Sequence, residues 1–584
     1  MIKYRALFLV LIAFVALPSR GTAAGDAARL DTTANRYWSY EVGTSYGLQM
    51  QLGMAIQTLR APTFAAAQED GRFGARVLRD LTAIDTSRLD HDRWLTYRAL
   101  QYDAQSLVGD QTYFWYEQQI TPYRQQYAYM LPVFTSFRFS SPADGRRYLN
   151  LLHDLASWTR SLQSFAAGQH ARHIILPDVE TDAAVGALKG YAGPLGSSPY
   201  MVDPKRLSAL GGAGANSLQA SILSELQREV IPSFEALIAY LNGPYRQGAP
   251  SGVGQSQYPG GRAFYAYMVE RNTTLDLTPQ QIHAIGLREV ARINSELDDV
   301  RRAFGFKGNL VAFHTYLKTD RRFFAGTGAQ IGDRLQSFVN RVAVKVPAYY
   351  DSLPKAPYGV APLPANLAGS QTFGYYDQPT PVKPRGVYLY NAAHPKTTWL
   401  PQSGALIMHE LIPGHHFQIA LQLENTALPR VRRYDFGITG FVEGYAEYAS
   451  QLGFDMGMYK DPYDRVGRLM QDMMVSSRLV VDTGMNSMGW SRERAERFMR
   501  ENTILADNQI GTETLRYSTD LPAQALGYKL GELTLLQLRD EAKARLGRHY
   551  DIRQFHRWLI GSGTMTLATL REHMKYEETH AAGH

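Results

Sequence analysis

One stretch of eight residues sets three histidines and a glutamate around a proline–glycine pair: His409-Glu410-Leu411-Ile412-Pro413-Gly414-His415-His416. A helix turns about 100° and rises about 1.5 Å per residue. In an unbroken helix, His415 would therefore point about 120° away from His409 and lie roughly 9 Å further along the axis. His416 would return to the same face but lie roughly 10 Å away. An unbroken helix cannot bring two of these imidazoles to one ion.

The proline–glycine pair predicts a break in this helix. Pro413 removes a backbone donor and disfavours a helical conformation at Ile412, while Gly414 permits a positive φ. We predict a kink at 412–414 that swings His415 back toward His409. The stretch then becomes an interrupted form of the His-Glu-x-x-His pattern, in which two imidazoles bind zinc and the glutamate is a general base. His416 is the alternative second ligand.

A third ligand is expected from the helical segment Thr439–Ser450. Its apolar positions recur at helical spacing, and Glu443 and Glu447 share a second stripe, which faces either a metal or water. Gly444 removes side-chain bulk where another helix can approach, although glycine costs a helix about 1 kcal/mol relative to alanine. Two histidines and one glutamate leave the fourth zinc position to water, as in catalytic zinc sites.

The runs HELIPGHHFQ and VEGYAEY resemble a family of bacterial proteins called domain of unknown function 885. Further matching segments follow the same order along most of the chain: Thr274–Gly286, Arg385–Asn391, Arg478–Gly484, Gly489–Glu493 and Arg516–Tyr528. The family is regarded as similar to zinc peptidases of the gluzincin type. The resemblance implies that His409, His415 and Glu443 bind one Zn²⁺ ion and that Glu410 is the general base.

Two departures from the family pattern bear on the site. Relatives usually carry a histidine where this chain has Asn486, so a role of that histidine in the transition state is lost here or passes to a tyrosine. Relatives also read Glu-Gly-Trp-Ala-Leu-Tyr where this chain has Tyr445 and Glu447. We expect Glu447 to orient a ligating histidine through its second ring nitrogen, and the extra acid to alter metal affinity or substrate preference.

Four residues near the carboxyl end complete the predicted site. Tyr528 and Tyr517 are candidates to donate a hydrogen bond to the oxyanion of the transition state; the alternative is a buried tyrosine with a satisfied hydroxyl. Arg516 and Arg478 are candidates to bind a substrate carboxylate with two parallel hydrogen bonds. Their alternative role is a structural ion pair.

The amino-terminal 24 residues read as a secretory signal peptide. Lys3 and Arg5 precede the apolar stretch Ala6–Leu17, which is too short for a membrane-spanning helix. Small residues end the leader before Gly25, where cleavage is expected. The alternative is a retained membrane anchor.

Composition excludes several classes of protein. The chain has no cysteine, so disulfides, thiolate chemistry and a lipidated cysteine are excluded. Without the three basic residues of the leader, the net charge falls from +7 to +4, which is too weak to indicate nucleic-acid binding. No later segment approaches eighteen consecutive apolar residues, so no stable membrane insertion is expected after cleavage.

The remaining chain divides into three parts. Residues 25–242 form a helical amino-terminal region, 243–261 a Gly- and Pro-rich linker or long loop, and 262–584 the metal-binding region, which joins the first part in one continuous fold or stands apart. Thr278, followed by proline and two glutamines, predicts a helix from Pro279 to about Phe304. The fold class is mainly α, a large helical metallopeptidase-like fold with a deep cleft.

A small β element is expected beside the metal helix. The segment 386–391 has short β-like character, and we place it, with Tyr388, as an edge strand that pairs with an extended substrate. The alternative is a surface loop.

These observations predict an exported zinc metallohydrolase, located in the periplasm or secreted, that cleaves short peptides with Glu410 as general base. The alternative is a metal- or ligand-binding protein that retains the fold without turnover. Peptides are the expected partner.

Overall fold

The computed structural model describes residues 22–124, 126–363 and 374–581. Nearly all of the predicted leader lies outside these ranges. Thr22 caps the first helix, its hydroxyl accepting a hydrogen bond from the Gly25 N–H at 3.1 Å. The predicted cleavage point before Gly25 therefore falls within the first turn of that helix.

Helices dominate the described residues, as the sequence predicts. Those up to residue 242 are α1 (Ala23–Thr44), α2 (Tyr46–Gln51), α3 (Phe64–Thr82), α4 (His91–Thr112), α5 (Gln126–Thr135), α6 (Pro142–His170), α7 (Asp178–Lys189), α8 (Gly211–Glu225) and α9 (Ile231–Asn242).

The remaining helices lie between Gly261 and Ala581 and include those that carry the predicted site residues. They are α10 (Gly261–Thr273), α11 (Pro279–Ala303), α12 (Leu310–Thr319), α13 (Gly328–Ala343), α14 (Ser403–Glu410), α15 (His415–Glu424), α16 (Arg430–Arg433), α17 (Thr439–Gln451), α18 (Pro462–Ser487), α19 (Arg492–Asn502), α20 (Asp507–Leu515), α21 (Leu526–Leu546), α22 (Ile552–Gly561) and α23 (Leu567–Ala581). No helix in the described ranges combines the length and hydropathy of a membrane span.

Local sequence explains where α11 begins. The Thr278 hydroxyl accepts the Gln281 N–H at 3.3 Å, and the Gln281 side chain accepts the Thr278 N–H at 2.8 Å. This reciprocal pair satisfies backbone donors that the first turn of a helix leaves without partners. The predicted helix from Pro279 to about residue 304 is confirmed, ending at Ala303.

One three-stranded sheet interrupts the helices, formed by β1 (Tyr358–Pro362), β2 (Tyr375–Asp377) and β3 (Gly386–Tyr390). The strand order is β1–β3–β2, with β3 parallel to β1 and antiparallel to β2. The predicted strand is present, but its predicted edge position is wrong. Because β3 pairs on both sides, its backbone cannot accept an extended substrate as an edge strand does.

The hydrophobic core does not divide at residue 243. One cluster runs from Ile56 to Tyr245 and so extends into the segment 243–261. A second packs α1, α3 and α4 against Val431 of α16. The largest cluster surrounds α14 and α17, and Leu95 of α4 belongs to it. The amino-terminal helices therefore share core clusters with the region that carries the predicted metal ligands.

The Gly- and Pro-rich segment 243–261 is a packed loop. The backbone N–H of Gln255, which is fully buried, donates to Asn486 Oδ1 at 3.0 Å. The Tyr258 hydroxyl donates to the Ile175 carbonyl at 2.7 Å. These contacts favour the long-loop interpretation over a flexible linker.

Candidate metal centre

The helix breaks where the sequence predicts. Helix α14 ends at Glu410 and α15 begins at His415, and four non-helical residues separate them. The Ile412–Pro413 peptide bond is cis. The chain turns within this segment, and His409 and His415 come to lie with ring centroids 4.7 Å apart.

Glycine at position 414 is required by packing. Gly414 has φ −78°, so the turn does not use the positive φ that glycine permits. A Cβ atom on this residue would lie 1.8 Å from the His409 carbonyl oxygen and 2.5 Å from that of Met408. Glycine is required because the turn packs its backbone directly against the end of α14.

Three ligand atoms converge at this break. His409 Nε2 lies 3.5 Å and His415 Nε2 3.2 Å from Glu443 Oε2. Two atoms that bind one tetrahedral zinc ion at about 2.0–2.1 Å are separated by about 3.3 Å. Glu443 Oε2 is buried and has no hydrogen-bond partner among the described residues. The donor set and its spacing fit a zinc ion.

The local charges also favour a cation. Burial lowers the pKa of His409, but Glu443 and Glu447 outweigh it and raise the pKa to about 10. Burial raises the pKa of Glu443, yet His415 and then His409 bring it well below its ordinary value. The carboxylates thus create a negative potential that a proton or a metal ion neutralises at the imidazoles.

Glu447 lies behind His409. It is fully buried, and its Oε1 is 3.2 Å from His409 Nδ1. The Gln471 side-chain amide donates to the same oxygen at 2.9 Å, and Arg468 Nη1 is 3.5 Å from the other. A carboxylate on the far nitrogen fixes the orientation and tautomer of a ligating histidine. Glu447 occupies the position that the sequence predicts for an orienting residue.

Glu410 stands at the wall of the centre, half-buried at the end of α14. Burial raises its pKa, although His409 and His415 act in the opposite direction. Among the described residues, none donates a hydrogen bond to its carboxylate. Glu410 also contributes, after burial, to the raised pKa of Tyr388, a buried residue of β3. The predicted base and the predicted substrate-binding tyrosine therefore lie near each other.

Tyr528 lies on the other side of His409. The two rings are parallel, with centroids 6.2 Å apart. Arg516 Nη2 points to the Tyr528 hydroxyl oxygen at 3.5 Å, and the Arg478 guanidinium lies 4.9 Å from its ring centroid. Burial and then Glu443 raise the pKa of Tyr528 more than the arginines lower it. Its oxygen accepts from Arg516, and a hydrogen bond with the Gln524 side chain also lowers its pKa.

The structure places Tyr517 differently. Tyr517 is fully buried; its hydroxyl donates to Glu513 and accepts from Arg478 Nε at 2.7 Å. With both functions of the hydroxyl used, Tyr517 fits the alternative of a satisfied buried tyrosine. Of the two oxyanion candidates, Tyr528 is the one whose ring lies beside His409.

The two predicted arginines are held by several partners. Arg478 Nη2 donates to Glu513 at 3.0 Å. Arg516 donates to Gln524 Oε1 at 2.7 Å and to the Tyr123 hydroxyl at 3.0 Å. Both guanidinium groups contact Tyr528, Arg516 at its hydroxyl and Arg478 at its ring. That they bind a substrate carboxylate stays a prediction.

His416 points away from the converging atoms. Its Nδ1 lies 2.9 Å from the Tyr376 hydroxyl of β2, and its Nε2 lies 3.1 Å from the Ala356 carbonyl. Because both ring nitrogens have partners in or beside the sheet, His415 is the residue placed to bind the metal. His416 instead joins α15 to the β element, which lies beside the helices that carry the candidate ligands, as predicted.

Asn486 is a packing residue. Its side-chain nitrogen donates to the Asp482 carbonyl at 3.0 Å and to the Tyr517 carbonyl at 2.9 Å, and its oxygen accepts from Gln255. It is fully buried. Asn486, the residue that departs from the family pattern, therefore holds α18 against neighbouring segments. Its side chain has no free polar atom to present to the candidate metal centre.

Glycines bring α17 and α21 into close contact beside the centre. A Cβ on Gly444 would lie 2.5 Å from the Gly531 Cα, and one on Gly531 would lie 2.1 Å from the Gly440 carbonyl oxygen. Glu443 precedes the first of these glycines and Tyr528 lies one turn before Gly531. The predicted close approach at Gly444 is confirmed. It places Glu443, the candidate ligand, beside Tyr528.

Several residues that hold the candidate site in place were not predicted from the sequence. Glu513 lies three and four residues before Arg516 and Tyr517, a helical spacing that could have indicated the pair. Arg468, Gln471 and Tyr376 come from elements distant in sequence, and no local pattern points to them.

The fold and the converging donors together define a mainly α-helical protein with a candidate zinc-type centre of two histidines and one glutamate. The chain belongs to the family described as bacterial protein of unknown function, DUF885, whose profile matches residues 43–574. No curated protein matches the chain significantly.

Two solved structures are similar to this chain. A Colwellia psychrerythraea protein described as a "putative lipoprotein" is 24% identical, with a TM-score of 0.83, over 96% of this chain and 100% of that chain. A Shewanella oneidensis protein described as a "putative lipoprotein of unknown function" is 18% identical, with a TM-score of 0.70, over 95% of this chain and 100% of that chain. At these identities the likeness shows the fold alone.

Proposed function

We propose that this chain is a zinc-dependent hydrolase, a peptidase acting on short peptides. The observation that carries the proposal is the convergence of His409 Nε2 and His415 Nε2 on Glu443 Oε2, at 3.5 Å and 3.2 Å. These residues would hold the ion, with Glu447 fixing His409. Zinc bound there supplies Lewis acidity that polarises a water and the carbonyl of a scissile amide.

Glu410 is the general base in this proposal. Its carboxylate takes the proton of the attacking water and returns it to the leaving amine nitrogen. Burial supports this role because it raises the pKa of the carboxyl group toward neutrality, where a base accepts and releases a proton effectively. Tyr528, whose ring lies beside His409, donates its hydroxyl hydrogen to the oxyanion that forms at the carbonyl.

We also propose an extracytoplasmic location, periplasmic or secreted. Two observations support it: the leader-like residues 1–24 and the description of both similar structures as "putative lipoproteins". The chain itself has no cysteine to carry a lipid.

Digestion of a peptide library, followed by mass spectrometry, tests the activity. The zinc-loaded protein should cleave peptides, a chelator should abolish cleavage, and added Zn²⁺ should restore it. The Glu410→Gln variant should keep its zinc and lose about 100-fold or more of the activity, since a positioned base contributes about 10²–10⁴-fold.

Two results would contradict the proposal. A zinc-loaded wild-type protein that cleaves no peptide would favour a binding protein without turnover. Full activity in Glu410→Gln would remove the assigned base.

A further inference from the structure

A second group of metal-type donors shares no residue with the centre described above. His91 is the first residue of α4, while His573 and Glu577 lie on α23. His91 Nε2 is 2.8 Å from His573 Nδ1, and Glu577 Oε1 is 3.9 Å from that same nitrogen. One ligand atom from each residue lies within 4.8 Å of the others. None of the three takes part in the proposed hydrolysis.

The buried histidine presents a lone pair to this group. His573 is fully buried, and its Nε2 lies 3.0 Å from the Trp558 carbonyl oxygen. A carbonyl only accepts hydrogen bonds, so Nε2 carries the hydrogen and Nδ1 carries the lone pair. A histidine that donates its other N–H to a backbone carbonyl is the usual arrangement of a metal ligand.

The other two side chains are held in place. The His91 ring stacks on Tyr576, with centroids 3.6 Å apart and planes 7° apart. Glu577 lies four residues after His573, which places both on one face of α23. Its side chain is 29% exposed, so an ion has access from solvent.

The nearby positive charge is compensated. Arg432 is buried close to both histidines, but its Nη1 donates to Asp92 Oδ1 at 2.7 Å and to the Asp92 carbonyl at 3.0 Å. Its Nη2 donates to the Ser562 carbonyl at 2.6 Å. The guanidinium is thus paired with a carboxylate. Arg557 and His580 also lie near Glu577, and Arg557 is paired with Asp351 at 2.9 Å, which leaves the Glu577 carboxylate available to a cation.

We propose that His91, His573 and Glu577 bind a second divalent transition-metal ion, which joins the start of α4 to the carboxy-terminal helix. Two imidazoles and one carboxylate suit Zn²⁺, Cu²⁺ and Ni²⁺ more than Mg²⁺ or Ca²⁺. Binding replaces the hydrogen bond between the two histidines: the His91 ring releases the proton of Nε2 to solvent and takes up one at Nδ1, so the ring stays neutral and its Nε2 lone pair faces the ion. The ion stabilises the contact between the amino-terminal and carboxy-terminal helices.

Zinc content after equilibrium dialysis against Zn²⁺ tests this site. His91→Gln and Glu577→Gln should each hold one zinc ion fewer than the wild-type chain. His153→Gln should match the wild type, because His153 is exposed, lies 3.6 Å from Glu225, and belongs to no candidate metal group among the described residues. Glu577→Gln is nearly isosteric at a partly exposed position, so its fold should be preserved, as circular dichroism would verify.

The difference in zinc content between the wild type and these variants does not depend on whether the proposed hydrolytic centre binds zinc. If that centre binds zinc, the wild type holds two ions and the His91 variant one; if it does not, the numbers are one and none. Added Zn²⁺ should also raise the thermal midpoint of a Glu443→Gln protein by about 2 °C, and His91→Gln should remove this rise. Equal zinc content in the wild type and both site variants would overturn the inference.

Discussion

Glu447 and Tyr517 show that the role of a polar side chain depends on which of its atoms are already bonded. Both are buried near the centre. Glu447 directs an oxygen at His409 Nδ1, 3.2 Å away, whereas the Tyr517 hydroxyl is used by Glu513 and Arg478. The sequence predicted His409, His415 and Glu443 from spacing and resemblance. It could not separate Tyr517 from Tyr528, because their partners come from elements distant in sequence.

Glu447→Gln should weaken zinc binding. The amide keeps the size of the side chain but loses the charge that holds the His409 ring, and such orienting residues typically contribute about 10–100-fold to metal affinity. Competition with a zinc chelator measures this. Glu235→Gln, which changes an exposed acid of α9, is the control. An unchanged zinc affinity in Glu447→Gln would remove the orienting role.

Tyr528→Phe should lower kcat by about 100-fold to 1000-fold, the typical loss of one oxyanion donor. KM and zinc content should change little, since the phenol hydrogen is proposed to act only in the transition state. Steady-state kinetics on a peptide found in the library digestion measures both constants. A large rise in KM with an unchanged kcat would instead assign Tyr528 to substrate binding.

At the scale of elements, the break between α14 and α15 was predictable and its internal geometry was not. Pro413 indicates a helix end from sequence alone. The close approach that requires Gly414 depends on where the chain goes next, so the packing reason for this glycine could not be predicted. The central position of β3 could not be predicted either, because the two strands that pair with it, β1 and β2, lie outside the segment 386–391.

Gly414→Ala should disrupt the centre. The new methyl group would lie 1.8 Å from the His409 carbonyl oxygen, so the turn must shift and displace His415. We expect loss of zinc binding and a lower thermal midpoint. Gly186→Ala is the matched control: it lies in α7 with nothing within 4 Å of the added Cβ, and alanine there should be neutral or stabilise by about 0.5–1 kcal/mol. Wild-type zinc binding in Gly414→Ala would contradict the packing argument.

At the scale of the whole molecule, the sequence predicted a mainly α fold and its carboxy-terminal site, but the regions are more closely joined than composition suggested. The segment 243–261 is rich in glycine and proline, as linkers are, yet Gln255 within it is fully buried. Composition describes local flexibility, whereas burial depends on surfaces that only the folded chain brings together. Tyr123 likewise reaches Arg516 from the amino-terminal region.

The buried histidine His556 should make the folded protein less stable in acid. Burial lowers the pKa of His556 to about 3; its ring nitrogens contact the Tyr448 hydroxyl and the Tyr349 carbonyl, each at 2.8 Å. The unfolded chain takes up a proton below about pH 6.5 and the folded chain does not. The stabilisation is therefore complete above pH 6.5 and is lost as the pH falls toward 3, by about 2 kcal/mol at pH 5.

The variant His556→Gln isolates this contribution. Glutamine retains a donor and an acceptor but does not titrate, so the fall in thermal midpoint between pH 7 and pH 5 should be smaller than in the wild type. His153→Gln, at an exposed site, should leave the fall unchanged. If His556→Gln showed the wild-type pH dependence, the histidine would not be the titrating group.

Anomalous diffraction at the zinc absorption edge, from crystals grown with Zn²⁺, tests the central claim most directly. We predict a peak in contact with His409 Nε2, His415 Nε2 and the Glu443 carboxylate, lost in crystals of Glu443→Gln. Zinc-supplied crystals with no anomalous peak at these three side chains would contradict the account.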